Sequence, residues 1–537
     1  MRKVWVKLDG QHCPCAARDG VNAMWIGTSE HCRSVDRRSS EDFGLPASVL
    51  MERAGFAVFE AVTKMLPSGG KIAVLCGRGN NGGDGFVVAR LAVQAGYQVE
   101  CLVAATEKDL REDALNQYKV ARATGVHPIF ADNPRWTRKI DCLGGHDLLV
   151  DALLGIGAVS QVHGTVREAI QAINRSGVPV VAVDVPSGID CNTGEELGES
   201  VWALRTVTFG FPKPFLFEGI GLEHSGYWTV ADIGYPAALL NEVTESRLID
   251  EDWVASLLPE RLKSAHKGDS GHVLIVAGSR WMRGAVTLAA KGALRAGAGL
   301  VTVASIPSVL DAVAAQLPEV LLLPLPEDNG VISPMAVHDL LEYQERVDSA
   351  LFGPGLTHDK PVLDLLKATW REWRRPCVID ADALNSVSHG VTLPPVECIL
   401  TPHPGEMSRL LNSSIAEIQA DRFRAVDSAV SEYGQCVLLK GPHTIVGEPG
   451  QPMMVNCTGN PGMASGGFGD VLSGMAATLL AQQLPSYYAA SCAVYWHGLA
   501  GDICACKVGG VGYLASDLVE AIPSARSQIL GNCDTDS

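Results

Sequence analysis

Short apolar runs recur along this chain, and each one stops at glycine, proline or a knot of polar side chains. Ile72–Cys76, Val99–Val103, Asp147–Leu154 and Val178–Val185 set the pattern in the first half. His272–Ala277, Leu300–Ala304, Ala350–Phe352, Val378–Asp380, Ile399–Leu400 and Val437–Leu439 repeat it in the second. Runs this short and this apolar suit parallel strands covered on both faces. Stretches with helical periodicity stand between them, such as Phe86–Ala95 and Ala285–Ala296. Repeated strand–loop–helix units predict α/β folds in which ligands gather outside the carboxyl ends of the strands.

At 537 residues the chain is too long for one ordinary domain. The alternation fades between Ala231 and Leu262, where prolines and charges accumulate. The expected division is a first domain over 28–236, a linker over 237–250 and a second domain over 251–530. Residues 1–27 show no periodicity and read as an unstructured extension, or as a mis-called start with Met24 the true first residue. Ser39–Met65 reads as a helical region with a packing role. A net charge of −17 argues against nucleic acid as a partner. Fifteen cysteines follow no disulfide framework, and the CxC pairs Cys13/Cys15 and Cys504/Cys506 lack the other half of a metal site. Most cysteines are expected to be reduced, as in a cytoplasmic protein. No apolar run is long enough to span a membrane, and the N-terminus has no signal-peptide core.

Two loops stand out chemically. Gly77, Gly79 and Gly82 satisfy GxGxxG, with Glu100 roughly 20 residues on, the pattern of a dinucleotide-binding turn. Yet Asn80, Asn81 and Asp84 crowd the loop Gly77–Gly85 with polar side chains, and Glu100 falls inside its strand. Such a loop suits a ligand or ion held by side chain as well as backbone. Asp151 lies near the end of the next strand, with Asp184 and Ser187 at the end of the one after. Each alone could be a loop cap, but three at equivalent strand ends point to a site.

The second loop is NPGMASGGFGD, where Gly466, Gly467 and Gly469 lead into Asp470 and an apolar helix that Pro485 stops. Free N–H groups at a helix start attract phosphate. A carboxylate there is better suited to take a proton from a hydroxyl beside the phosphate. It could equally be a helix-capping acid. Lys440 could neutralise a diphosphate or be a solvated strand end. His403, Gly405 and Glu406 could bind a polar ligand.

GRGNNGGDGFVVAR, VDALLGIG, VDVPSGID and VTFGFPKP together resemble the YjeF N-terminal family, the NAD(P)H-hydrate epimerases, which interconvert the R and S forms of hydrated NADH and NADPH. The resemblance implies a Rossmann-like three-layer domain. It implies potassium held by Asn81, Asp151 and Ser187. Substrate contacts carry over to Asn80, Asn81, Gly82, Gly83 and Asp84, to the loop Gly155, Ile156, Gly157, Ala158, Val159, Ser160 and Gln161, and to Asp184. Asp184 is the candidate acid/base. Arg78 and Ile156 depart from the family pattern without removing a named ligand.

HKGDSGHVLIVAGS, GALRAGAGLVTVA, LFGPGL, DADALN, TPHPGEMSRLL, LKGPHTIV and NPGMASGGFGDVLSGMAATLLAQ stand in the order of the ADP-dependent NAD(P)H-hydrate dehydratases, and the segment resembles that family. This implies a ribokinase-like α/β domain. Asp470 would be the base, taking the hydroxyl proton of the hydrate as its oxygen attacks the terminal phosphorus of ADP. Ala285, Gly355, His403, Pro404, Gly405 and Glu406 would hold the hydrate with Asp470. Lys440, Gly441, Pro442, His443, Thr444, Gly467 and Gly469 would hold ADP. Magnesium is expected as a partner of the phosphates. Ser465 and Phe468 stand where the family usually has small hydroxyl residues, and Phe468 is the larger departure. A small-molecule kinase fused to a non-catalytic nucleotide-binding module is the rival reading. The chain is expected to act on small molecules as a homo-oligomer, with neither nucleic acid nor membrane as partner.

Overall fold

A computed structural model describes residues 25–531 apart from 262, 263 and 265. The proposed start at Met24, most of the N-terminal extension and the Cys13/Cys15 pair lie outside the described residues. The chain divides into two compact units between Arg247 and Leu248. Within the stretch expected as a linker, Ala237–Leu240 forms a short helix.

The first unit is built on seven parallel strands. Their order is Ile129–Phe130, Gln98–Val103, Lys71–Cys76, Leu148–Ala152, Val180–Val183, Arg205–Phe209 and Tyr227–Ala231. Connections run one way from Lys71–Cys76 and the other way from Leu148–Ala152, so the crevice for a ligand lies at the ends of those two strands. Side chains alternate between faces along each strand. Ile72, Val74 and Cys76 join one core cluster with the helices Ala47–Met65 and Asn80–Gln94. Ala73 and Leu75 join another with Trp136, Ile140 and the helix Gly164–Ser176. The two cores make three layers.

Two local expectations change. The helical region before the first strand is two helices, Ser29–Glu41 and Ala47–Met65, interrupted where Gly44 takes a φ of +66° and Pro46 supplies the N-cap. Ile26 is buried, and its N–H donates to the Ser246 carbonyl at 2.8 Å, so residues 25–27 belong to the folded unit. The loop expected over Gly77–Gly85 is instead a short turn followed by a helix from Asn80. Its glycines are there for packing. A Cβ on Gly82 would lie 2.0 Å from the Gly77 carbonyl oxygen, and one on Gly85 would lie 2.6 Å from the Ala152 Cβ.

In the second unit the parallel strands run in the order Leu321–Pro324, Leu300–Ser305, His272–Val276, Ser349–Phe352, Cys377–Ile379, Cys398–Leu400 and Cys436–Leu439. Ile445–Gly447 and Met453–Val455 follow antiparallel. The helix Phe468–Ala481 is apolar nearly all round because it is buried nearly all round. It meets the helix Arg283–Arg295 at glycine contacts, where a Cβ on Gly474 would lie 2.1 Å from the Ala289 carbonyl oxygen. The twelve described cysteines are all free thiols. Among the described residues no helix is long and apolar enough to cross a membrane.

Candidate active sites

In the first unit, four strand ends bring the polar residues together. Asp151, fully buried, accepts three hydrogen bonds: from the Ser187 hydroxyl at 2.6 Å, the Ser187 N–H at 2.8 Å and the Leu153 N–H at 3.2 Å. The Leu154 carbonyl accepts from the Asn81 amide at 2.9 Å and from the Ser187 hydroxyl at 3.3 Å. Asn81, Asp151 and Ser187 thus meet around one backbone turn, although they lie on three separate segments. Burial pushes the Asp151 carboxyl up to about 6, and its hydrogen bonds pull the other way. A buried carboxylate with only neutral donors, beside a carbonyl and an amide oxygen, is a donor set that fits a hard monovalent cation.

Asp184 follows the strand Val180–Val183 in a left-handed conformation, φ +64°, which is strained for a residue with a side chain. Its Oδ1 accepts from the Lys213 ammonium at 2.7 Å, the Thr208 hydroxyl at 3.0 Å and the Phe209 N–H at 3.2 Å. Lys213 is itself 1% exposed and also donates to Thr208 and to the Phe209 carbonyl. Burial works against its ammonium, but the neighbouring Asp184 carboxylate outweighs this and the lysine's pKa is raised. Asp84 is buried close by in charge terms: burial first, then the Asp184 and Asp36 carboxylates, push its carboxyl well up. Asp36 is raised by burial despite a hydrogen bond from the Tyr235 hydroxyl.

Sequence reasoning missed Asp36 and Lys213. The lysine lies within FGFPKP, where a lysine between prolines looks like a surface turn. Glu100, the acidic residue of the GxGxxG pattern that falls inside its strand, pairs with Lys139, and His146 Nε2 lies 3.1 Å from it. The loop Gly155–Gln161 is mostly exposed at the mouth of this crevice, with Val159 69% exposed. The Arg33 guanidinium braces it by donating to the Ile156 carbonyl at 3.2 Å.

In the second unit, the helix Phe468–Ala481 opens at Gly467, whose φ of +99° needs a glycine. Asp470 is the third helical residue, and among the described residues its carboxylate accepts no hydrogen bond. It is therefore not spent on capping. Burial raises its carboxyl to about 7, helped by the Asp380, Asp382 and Glu406 carboxylates and opposed by Lys440. Lys440 is not a solvated strand end. Its ammonium donates to Asp380 at 2.8 Å, stands 3.9 Å from Glu406, and lies 3.4 Å from where a Cβ on Gly469 would be. Asp380 is 1% exposed and also accepts the Thr401 hydroxyl at 2.7 Å.

The HPGEM segment is a helix start. His403 caps the helix Pro404–Leu410, its Nδ1 accepting the Gly405 N–H at 2.9 Å, while Glu406 accepts the His403 N–H at 2.8 Å. Burial raises the Glu406 carboxyl to about 7, with Lys440 opposing. Gly355 turns just beyond the strand Ser349–Phe352, and a Cβ there would lie 2.8 Å from the Met282 Cβ. Ala285 sits in the first turn of the helix Arg283–Arg295, and Leu288 of that helix reaches Gly467. Gly441 and His443 both take positive φ, and Pro442 is exposed between them. Arg422, 1% exposed, props that turn by donating to the Leu439 and His443 carbonyls at 3.4 and 3.5 Å. Thr444 Oγ1 closes it with a 3.2 Å bond to the Gly441 carbonyl.

Comparison with known proteins follows the same division. The family model described as YjeF-related protein N-terminus matches residues 47–215, and that described as NAD(P)H-hydrate dehydratase matches 273–524. A protein of Moorella thermoacetica named bifunctional NAD(P)H-hydrate repair enzyme is 38% identical over 93% of this chain and 96% of its own. A protein of Escherichia coli with the same name is 35% identical over 93% of each. The crystal structure of an ADP/ATP-dependent NAD(P)H-hydrate dehydratase from Bacillus subtilis is 29% identical, covering 52% of this chain and 98% of its own, with a TM-score of 0.47.

Proposed function

Because the chain belongs to the family of bifunctional NAD(P)H-hydrate repair enzymes, we propose that the residues just described carry its two activities. The first unit is the NAD(P)H-hydrate epimerase, and the second is the ADP-dependent NAD(P)H-hydrate dehydratase. One equilibrates the R and S hydrates of NADH and NADPH. The other removes water from the S form at the expense of ADP, giving the reduced coenzyme, AMP and phosphate.

The observation that carries the dehydratase assignment is Asp470. It has an unbonded carboxylate beside the first free N–H groups of a helix, and its carboxyl is raised to about 7. A general base works best with a pKa near the operating pH. In this assignment Asp470 takes the proton of the hydrate's hydroxyl while that oxygen attacks the terminal phosphorus of ADP. The N–H groups of Phe468, Gly469 and Asp470 face the developing phosphoryl charge, and such preorganised donors contribute about 2.7–4 kcal/mol each. The phosphorylated hydrate then expels phosphate. Lys440 supplies a cation next to the same glycines, and Gly441–Thr444 forms the turn for ADP. Gly355, Ala285 and the His403–Glu406 helix start line the hydrate's side. Magnesium would neutralise the diphosphate.

In the epimerase, Asp184 exchanges protons with the hydrate, and the turn of Asn80–Asp84 and the loop Gly155–Gln161 enclose it. Potassium would lie among Asn81, Asp151 and Ser187 and offset the buried charge at Asp151. Cytoplasmic residence and a homo-oligomeric state complete the proposal.

Incubating the full chain with mixed R and S hydrate, ADP and magnesium, and following the absorbance of reduced nicotinamide, tests both activities at once. Complete recovery is the expected result. Recovery of the S fraction alone would remove the epimerase assignment. A stable phosphate ester in place of inorganic phosphate would favour the kinase alternative.

A further inference from the structure

Two buried aspartates of the first unit sit in opposite surroundings. Asp184 Oδ1 takes an ammonium, a hydroxyl and an N–H, all of which stabilise a carboxylate. Its Oδ2 accepts no hydrogen bond among the described residues and is free to take a proton. Asp84 is the reverse. It is 7% exposed, on the helix Asn80–Gln94, and among the described residues it has no hydrogen-bond partner. A carboxyl with so little exposure and no donor is pushed toward its protonated form, because burial disfavours the charge. The charged and titratable groups that act on it come from several elements. Asp36 lies on the helix Ser29–Glu41, with Tyr235 bonded to it. Asp184 carries Lys213. The Cys76 thiol, which ends the strand Lys71–Cys76, is pushed up by burial first, then by Cys101, and least by Asp84.

A carboxyl group held by three donors and one held by none are equipped for opposite proton transfers. Building on the epimerase assignment of this unit, we infer that Asp84 is the general acid of the epimerisation, partnered by Asp184 as the base. Inverting the hydrated carbon requires its bond to the ring nitrogen to open and re-form. Asp184 Oδ2 removes the hydroxyl proton, and the C–O bond becomes a carbonyl. The carbon–nitrogen bond breaks, and the nitrogen takes the proton held by Asp84. Rotation in the opened aldehyde presents the other face of the carbonyl. The nitrogen adds back and returns its proton to Asp84, and Asp184 returns the other to the oxygen. No electron is gained or lost and no atom leaves.

The test follows R–S exchange of hydrated NADH by the full chain without ADP. Asp84→Asn keeps the size and hydrogen-bonding ability of the side chain but has no acidic proton. The expected result is a fall in kcat of about 10²–10⁴-fold, with KM little changed and the alkaline limb of the pH profile gone. Asp36→Asn removes a neighbouring negative charge, so it should move that limb to lower pH while keeping the plateau rate. It is the deciding variant should Asp84→Asn not fold. An Asp84→Asn enzyme that loses only KM, or an Asp36→Asn enzyme whose alkaline limb stays in place, overturns the inference. Wild-type enzyme that leaves exchange at the spontaneous rate would instead sink the epimerase assignment itself.

Discussion

Asp184 and Asp470 hold comparable places, each just past a strand end or loop at the carboxyl edge of a parallel sheet, yet their surroundings are inverted. Asp184 has a buried lysine at 2.7 Å and two further donors on the same oxygen. Asp470 has no donor, three carboxylates acting against its ionisation and a lysine already engaged by Asp380. One site binds its carboxylate directly with three donors, and the other leaves its carboxyl unbonded and raised to about 7. The difference suits the work. Moving two protons within one molecule calls for an acid and a base side by side, whereas deprotonating an alcohol beside a phosphate calls for a single base.

The sharpest way to break this contrast is Asp470→Asn. ADP-driven dehydration should fall about 10²–10⁴-fold, while R–S exchange continues at the wild-type rate. Phosphate release and epimer ratio, measured on one sample, check this. Next comes Lys213→Met, which leaves the Asp184 charge buried and unpaired. Removing one partner of a buried pair costs about 3–5 kcal/mol. The first unit should unfold at lower temperature by calorimetry, and the second should be unmoved.

A smaller effect is the pH dependence of dehydration. Asp470 acts as a base only when ionised, and its carboxyl is raised to about 7, so the rate should climb with pH and level off above about 7. Asp380→Asn removes a carboxylate that raises Asp470, and the limb should move to lower pH. A limb that stays put in this variant would mean that another group controls the rate. The smallest expected effect is replacing potassium with a larger organic cation. Exchange should slow and dehydration should not, as judged by the same two readouts.

Much of this was legible in the residues. Strands covered on both faces have to be apolar runs, so Ile72–Cys76 and Val437–Leu439 showed themselves. The ends of such strands and the loops after them supplied Asn81, Asp151, Ser187 and Lys440, and the structure gathers the first three around one turn and joins Lys440 to Asp380. What stayed hidden depends on tertiary burial. Asp36 lies on a helix crowded with charges, where one more carboxylate looks solvated. Lys213 looks like a turn lysine until the strand Arg205–Phe209 folds beside Asp184. Arg422 precedes a helical pattern and gives no sign that its guanidinium reaches the carbonyls of a turn near Gly441. His403 and Glu406 read as ligand groups, and the helix start they build accounts for much of their bonding.

The clearances at Gly82 and Gly85 bear on any attempt to retarget the epimerase. With 2.0 Å to the Gly77 carbonyl oxygen and 2.6 Å to the Ala152 Cβ, neither position accepts a side chain without pushing the helix off the turn and strand beneath it. The loop Gly155–Gln161, with Val159 69% exposed, has room to vary. Libraries aimed at other hemiaminals should diversify residues 156–161 and leave the glycine face alone.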